Sequence, residues 1–260
     1  MPVRFDPLPR VAPSSKCPVT VNVRTLPVDG HVPTHAHDWA QLACTLRGAM
    51  RLRAAQTTWI VPPTRAVWIP PQVEHEVNLI GEVALRTVYV DASVAPRALS
   101  TCEVIDVSGL LRELIEALAG ADRKAQAARY ALITALLLEE IRVAPTLSLD
   151  LPLPRDRRLR ALCEALLEDP GAGLGLPEWA LRVGASPRTL ARLFHDELGM
   201  TFGQWRQRVR LAQAAALVSA GKPLASVAAA LGYESASAFS AMFKRTLGQS
   251  PRDFFGRRSA

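Results

Sequence analysis

The feature that most constrains this chain is an internal repeat near its C-terminus. Residues 179–194 read Trp-Ala-Leu-Arg-Val-Gly-Ala-Ser-Pro-Arg-Thr-Leu-Ala-Arg-Leu-Phe, and residues 227–243 read Val-Ala-Ala-Ala-Leu-Gly-Tyr-Glu-Ser-Ala-Ser-Ala-Phe-Ser-Ala-Met-Phe. Ala180 matches Ala228 and Gly184 matches Gly232 at an offset of 48. Past the turn the offset is 49, matching Ser186 with Ser235, Leu190 with Phe239, Phe194 with Phe243, Leu198 with Leu247 and Gly199 with Gly248. The second copy therefore carries one extra turn residue. A unit that occurs twice must fold twice, so both copies are read by the same rules.

Each copy has the parts of a helix-turn-helix. A short helix ends at a Gly that can take the left-handed C-cap conformation. A Ser follows at the N-cap of the next helix, where its oxygen accepts an otherwise unsatisfied N–H. Pro187 stands at the first helical position, where a missing N–H costs nothing. Small Ala180 and Ala228 let the two helices cross closely. Leu190/Phe239 and Phe194/Phe243, four residues apart, face inward, and the residues between them face out, where they can enter a major groove. Helices are expected over 158–167, 177–183, 187–198, 202–218, 224–231 and 236–247, with another starting near Pro251.

Charge is distributed to match. Residues 1–154 hold 15 Lys+Arg and 15 Asp+Glu, whereas residues 155–260 hold 16 and 9, which is the whole net charge of +7. A basic unit attached to a neutral one points to a polyanionic partner. The four cysteines, Cys17, Cys44, Cys102 and Cys163, form no C-x-x-C pair, which argues against a disulfide scaffold or a cysteine-rich zinc site. No apolar leader follows Arg4, and the apolar run near 131–138 is far short of the ~20 residues that span a bilayer. A cytoplasmic protein with no membrane partner is expected.

From 158 to 255 the sequence resembles the AraC/XylS family of transcription regulators. Leu231-Gly232-Tyr233-Glu234-Ser235, Phe239, Phe243-Lys244 and Leu247-Gly248-Gln249-Ser250-Pro251 carry the likeness. The resemblance implies two helix-turn-helix units joined by the long helix 202–218, with recognition helices in two successive major grooves. By position, the base-facing candidates are Arg188, Ala191 and Arg192 in the first copy and Ser237, Ser240 and Ala241 in the second. An Arg can bridge guanine O6 and N7, worth about 1–3 kcal/mol of discrimination, and Ala and Ser cannot. The second helix departs from the Arg often found in relatives at the Ala241 position. The first helix is thus expected to read sequence, and the second to position the protein on phosphates. Arg206, Arg210, Lys244 and Arg245 are the phosphate candidates, each otherwise a solvated surface cation.

The N-terminal part reads differently. Stretches 20–26, 41–53, 58–61, 67–69, 76–80 and 84–90 are rich in β-branched or aromatic residues and are separated by Gly and Pro, as in an antiparallel barrel or sandwich. Gly30, His35, His37, Gln41 and Gly48 stand at spacings like a first cupin motif, Gly…His-x-His…Glu…Gly, and Pro70 and His75 like a second, with Asn78 close to its Asn. Side chains at i and i+2 of a strand share a face, so His35 and His37 would point into a barrel together, joined by His75. Three imidazoles there suit a divalent metal such as Zn, Fe, Mn or Ni. Gln41 replaces the acidic ligand and Gln72 the second-motif Gly, so an organic effector pocket without metal, or rim histidines, are equally open readings. Trp39, Trp59, Trp68 and Tyr89 either line an apolar pocket or are plain core. The domain resembles the cupin-like sensor domain of a subset of the same family, which implies a small-molecule effector and often a dimer.

The expected fold is two-domain α+β, with an N-terminal cupin-like β-barrel and following helices, then a C-terminal all-α domain of two helix-turn-helix units. The boundaries expected are 1–107 for the barrel, 108–144 for a helical dimerisation or transmission segment, 145–157 for a Pro-rich linker, and 158–256 for the DNA-binding domain, with helix-turn-helix units at 176–197 and 224–247. The function expected is sequence-specific regulation of transcription, not catalysis. Its partners would be double-stranded promoter DNA, a small effector, a second copy of the chain and, for an activator, RNA polymerase. Two rivals make other predictions. A metal-dependent cupin enzyme with an appended helical domain would turn over a substrate. An architectural protein would bind any duplex equally.

Overall fold

The computed structural model describes residues 11–27, 30–63, 65–97, 101–147, 150–219, 221–247 and 250–251. The chain divides into two compact units, Met1–Ala55 with Trp59–Leu149, and Gln56–Thr58 with Asp150–Ala260. Gly248 and Gln249 of the C-terminal signature, and all but the first residue of the helix expected near Pro251, lie outside the described residues.

The first unit is built on strands β1 (Val19–Leu26), β2 (His31–His35), β3 (Ala40–Ala54), β4 (Thr57–Val61), β5 (Arg65–Ile69), β6 (His75–Val90), β7 (Glu103–Asp106) and β8 (Thr146–Leu147). Their order in the sheet is β1-β6-β3-β5-β7-β8, with β2 on β6 and β4 on β3. Stretches 76–80 and 84–90, expected as two strands, are one continuous β6. Its partner β3 shifts register around Arg47, and this bulge, opposite Gly81 at φ 79°, bends both strands together and spares the break. Strand β2 was not foreseen, because His-Val-Pro-Thr-His lacks a strand-like composition. It pairs with β6 with a register irregularity between Val32 and His35, where Pro33 cannot donate. The stretch expected as a linker at 145–157 is in part strand. Thr146–Leu147 pairs with β7, and Asp150–Pro152 forms a short β9.

Alternation along the strands gives the sheet two apolar faces. One encloses Leu26, Ala43, Met50, Leu52, Trp59, Val67, Ile69 and Val77. The other, with Ala40, Leu42, Cys44, Trp68 and Val88, is covered by α1 (Gly109–Ala119) and α2 (Ala127–Val143) through Leu111, Ile115, Leu118, Leu137 and Ile141. Ser108 caps α1 by accepting from Leu111 N at 2.9 Å. Arg97 ties the end of α2 down, donating to the Ile141 and Ala144 carbonyls at 2.9 and 3.0 Å while pairing with Glu103.

The second unit is helical, with α3 (Arg157–Glu168), α4 (Leu176–Val183), α5 (Pro187–Leu198), α6 (Phe202–Ser219), α7 (Leu224–Ala230) and α8 (Ala236–Leu247). Helix α6 belongs to two cores. Near its start, Phe202 and Trp205 pack on Phe194 at ring distances of 5.7 and 6.4 Å. Farther along, Ala214, with Leu211 and Leu217 at its edge, joins Val227, Ala228, Leu231, Phe239, Met242 and Phe243. Among the described residues, no helix is long and apolar enough to cross a membrane.

Candidate functional site

The repeat folds as its caps require. Helix α4 ends at Gly184 with φ 68° and ψ 43°, and Ser186 then opens α5 by accepting from Thr189 N at 3.0 Å. In the second copy Gly232 has φ 71°, and Ser235 accepts from Ala238 N at 3.1 Å. Leu190, Phe194, Phe239 and Phe243 are all fully buried. Burying that stripe turns the intervening residues outward. Arg188, Ala191 and Arg192 are exposed on α5, and Ser237, Ala241, Lys244 and Arg245 on α8, with Ser240 half-buried. The Arg192 side chain is 66% exposed, and its 3.3 Å ion pair with Asp196 is the exposed i,i+4 kind, worth less than about 1 kcal/mol and easily exchanged for another acceptor.

Arg206 and Arg210, expected on phosphates, have work inside the unit. Arg206 is half-buried, donates to the Leu174 carbonyl at 3.2 Å and lies 4.9 Å over the Phe202 ring. Arg210 donates to the Pro170 carbonyl at 2.9 Å and lies 5.2 Å over Tyr233. Both fasten α6 to the segment that leads into α4.

In the first unit, His35, His37 and His75 converge. Ring centroids lie 4.2 Å apart for His35 and His75, 5.1 Å for His37 and His75, and 5.8 Å for His35 and His37. One ring nitrogen from each falls within 4.8 Å of those from the others. The route to this cluster differs from the one expected. His35 ends β2, but His37 lies beyond it, so the two do not share a strand face. Instead His35 is the register partner of His75 across β2 and β6, and the 36–39 loop folds His37 back over both. Gln72 holds that loop. It adopts φ 62°, the left-handed conformation for which a Gly suits this position of the motif, and its N–H donates to the His37 carbonyl at 2.8 Å. Its side-chain amide bonds Asp38. Asn78, close to the place of the second-motif Asn, pairs with His31 at 2.9 Å and not with the three-histidine cluster.

The protons on these rings are fixed by backbone. Nδ1 lies 2.8 Å from the Pro33 carbonyl in His35, 2.7 Å from the Trp39 carbonyl in His37 and 2.9 Å from the Val73 carbonyl in His75. A carbonyl can only accept, so each Nδ1 carries the proton and each Nε2 the lone pair. Burial lowers the pKa of His37 and pushes that of His75 down to about 4, which keeps both rings neutral. Gln41 Oε1 lies 2.9 Å from His37 Nε2; with the lone pair on that nitrogen, the contact is a hydrogen bond when the Gln41 amide is rotated to present its N–H instead. His75 Nε2 is buried with no hydrogen-bond partner among the described residues. Trp39 stacks on His37 at 5.3 Å and Tyr89 meets both rings edge-on. Trp59 belongs to the enclosed apolar face of the sheet, whereas Trp68 belongs to the core shared with α1 and α2.

A β-sheet domain holding a cluster of three histidines, followed by a unit of two helix-turn-helix motifs, is the architecture of a DNA-binding regulator with an appended sensor domain. Residues 21–137 match the family model of the AraC-like ligand binding domain, and residues 179–257 match that of a helix-turn-helix domain. The chain is 35% identical over 227 residues to the HTH-type transcriptional regulator NimR of Escherichia coli, covering 86% of this chain and 82% of that one. It is 30% identical over 149 residues to the arabinose operon regulatory protein of Escherichia coli, covering 56% of this chain and 50% of that one. Among solved structures it is similar to ToxT of Vibrio cholerae with unsaturated fatty acid bound, at 12% identity and a TM-score of 0.37 over 92% of this chain and 95% of that one. The chain belongs to the AraC family of helix-turn-helix transcriptional regulators with an N-terminal ligand-binding domain. Its relatives are regulators of transcription, which sets aside the enzyme reading.

Proposed function

We propose that this protein binds a defined site in double-stranded promoter DNA and reads its bases chiefly through Arg188 and Arg192. The observation that carries this reading is the pair of exposed guanidiniums on the outer face of α5, one turn apart and backed by buried Leu190 and Phe194. Ala191 lies between them and leaves room for a base edge. Helix α8 offers Ser237, Ser240 and Ala241 to the bases, with Lys244 and Arg245 at its end for phosphates. Arg206 and Arg210 serve the DNA indirectly, by fixing α6. The effector site is the barrel interior around His35, His37, Gln41 and His75. The protein acts as a homodimer through α2, whose Leu132 is 74% exposed and whose Leu136 and Val143 are also exposed, while Thr134, Leu137 and Ile141 are buried. It works in the cytoplasm, where its DNA is, and as an activator would touch RNA polymerase.

The test is selection of duplexes from a random pool by the full-length protein and by Arg192→Ala. The wild type should enrich one motif, and the variant should lose preference at one base position, with about 5–150-fold less discrimination there. Uniform weakening across all sequences would refute base readout by Arg192. No enriched motif for the wild type would favour the architectural rival.

A further inference from the structure

We infer that His35, His37 and His75 bind one divalent transition-metal ion through their Nε2 atoms, in a site that Gln41 flanks. The inference rests on reading the barrel as the effector-receiving unit and names what that unit takes first. Three observations converge. Each ring donates its Nδ1 proton to a backbone carbonyl, the outer arrangement that orients a metal-binding imidazole and leaves the Nε2 lone pair for the ion. His75, 1% exposed, keeps Nε2 without a partner, and an unpaired buried polar atom costs about 1–3 kcal/mol unless something fills the site. The cavity that reaches His35 and Gln41, walled by Arg24, Met50, Thr87 and Tyr89, has a volume of about 20 Å³. That is room for one water, which needs about 10–15 Å³, and so for a single ion with its water beside His35.

The donor set selects the ion. Neutral imidazoles suit Zn, Ni, Fe and Cu, and a cluster of three histidines, with no carboxylate among the described residues, does not favour Mg or Ca. Three protein ligands leave a fourth position for water or for an anionic group of an effector. Metal–nitrogen bonds of about 2.0–2.1 Å at tetrahedral angles put ligand nitrogens about 3.4 Å apart. The candidate ligand atoms lie within 4.8 Å of one another, so the ion would draw the three rings together. The ion displaces the hydrogen bond between His37 and Gln41, so Gln41 is a flanking group and not a required ligand.

The test uses the full-length untagged chain, stripped with chelator and titrated with Co²⁺ while the ligand-field absorption is recorded, then with Zn²⁺ in competition. Expected are about one Co²⁺ per chain, a nitrogen-rich tetrahedral spectrum, displacement by Zn²⁺, and none by Mg²⁺. His37→Ala and His75→Gln should each weaken Co²⁺ binding at least about 100-fold, and Gln41→Ala by less than about 10-fold. Far-ultraviolet circular dichroism and binding to the selected duplex confirm that each variant is folded. A folded, DNA-binding wild type that takes up no Co²⁺ overturns the metal site and leaves the DNA reading intact. Undiminished uptake by folded His37→Ala and His75→Gln overturns it too, by placing the ion elsewhere. Loss of the enriched motif with Co²⁺ uptake preserved refutes only the base-reading assignment.

Discussion

His75 is buried as a neutral ring, and that has a consequence for stability. The unfolded chain protonates this histidine near 6.5, whereas burial lowers the folded value to about 4. Between those values the unfolded state binds the extra proton, so the stabilisation is fully present above about pH 6.5 and is lost as pH falls toward 4. The loss reaches about 3 kcal/mol, at ~1.4 kcal/mol per pKa unit. His37, lowered by the same burial, adds to the effect with the same sign. Urea unfolding of the metal-free protein at pH 7.5 and pH 5 should therefore show a marked drop in midpoint, and His75→Gln a smaller one. Equal drops in the two proteins would locate the titration in other groups. The residue types in this cluster were legible from the sequence, but their electrostatics were not, because desolvation depends on what the fold places around them.

At the scale of the element, the two turn glycines hold matching places in the repeat and differ in their surroundings. Gly184 and Gly232 both have positive φ, at 68° and 71°. A Cβ on Gly184 meets nothing within 4 Å, whereas one on Gly232 would lie 2.6 Å from the Gly171 carbonyl oxygen and 3.1 Å from Arg210 Nη2. Gly184→Ala should therefore cost only the left-handed strain, about 1 kcal/mol. Gly232→Ala adds a backbone clash, and the total should be roughly 3 kcal/mol or more. Urea unfolding followed by circular dichroism compares them directly. Equal costs would mean that the segment around Gly171 moves aside. The helices themselves were predictable almost to the residue, since their caps are local chemistry. Strand β2 was not, since it exists only because β6 offers it an edge.

For the whole molecule, the exposed side of α2 is the clearest unfinished surface. Leu132 and Leu136 are one turn apart and exposed, while Leu137 and Ile141 on the opposite side are buried against the sheet. Replacing the exposed pair with Glu should change the melting temperature of the monomer little, because Leu132 is 74% and Leu136 44% exposed, and should abolish self-association. Sedimentation equilibrium of the wild type and of Leu132→Glu/Leu136→Glu decides the matter. A wild type that sediments as a monomer, or a variant that still dimerises, would remove α2 from the interface.

What the sequence by itself determined was the pair of helix-turn-helix units, the outward face of each recognition helix and the placement of all the excess charge in that half. These depend on period, capping and composition, which act over a few residues and so are written locally. Tertiary structure alone decided the rest. It brought His37 to His35 and His75 through a loop held by Gln72, fixed the three ring tautomers with carbonyls at Pro33, Trp39 and Val73, and drew Arg206 and Arg210 into the scaffold. Those outcomes depend on strand register and on which buried groups find partners, and both are settled only when distant parts of the chain meet.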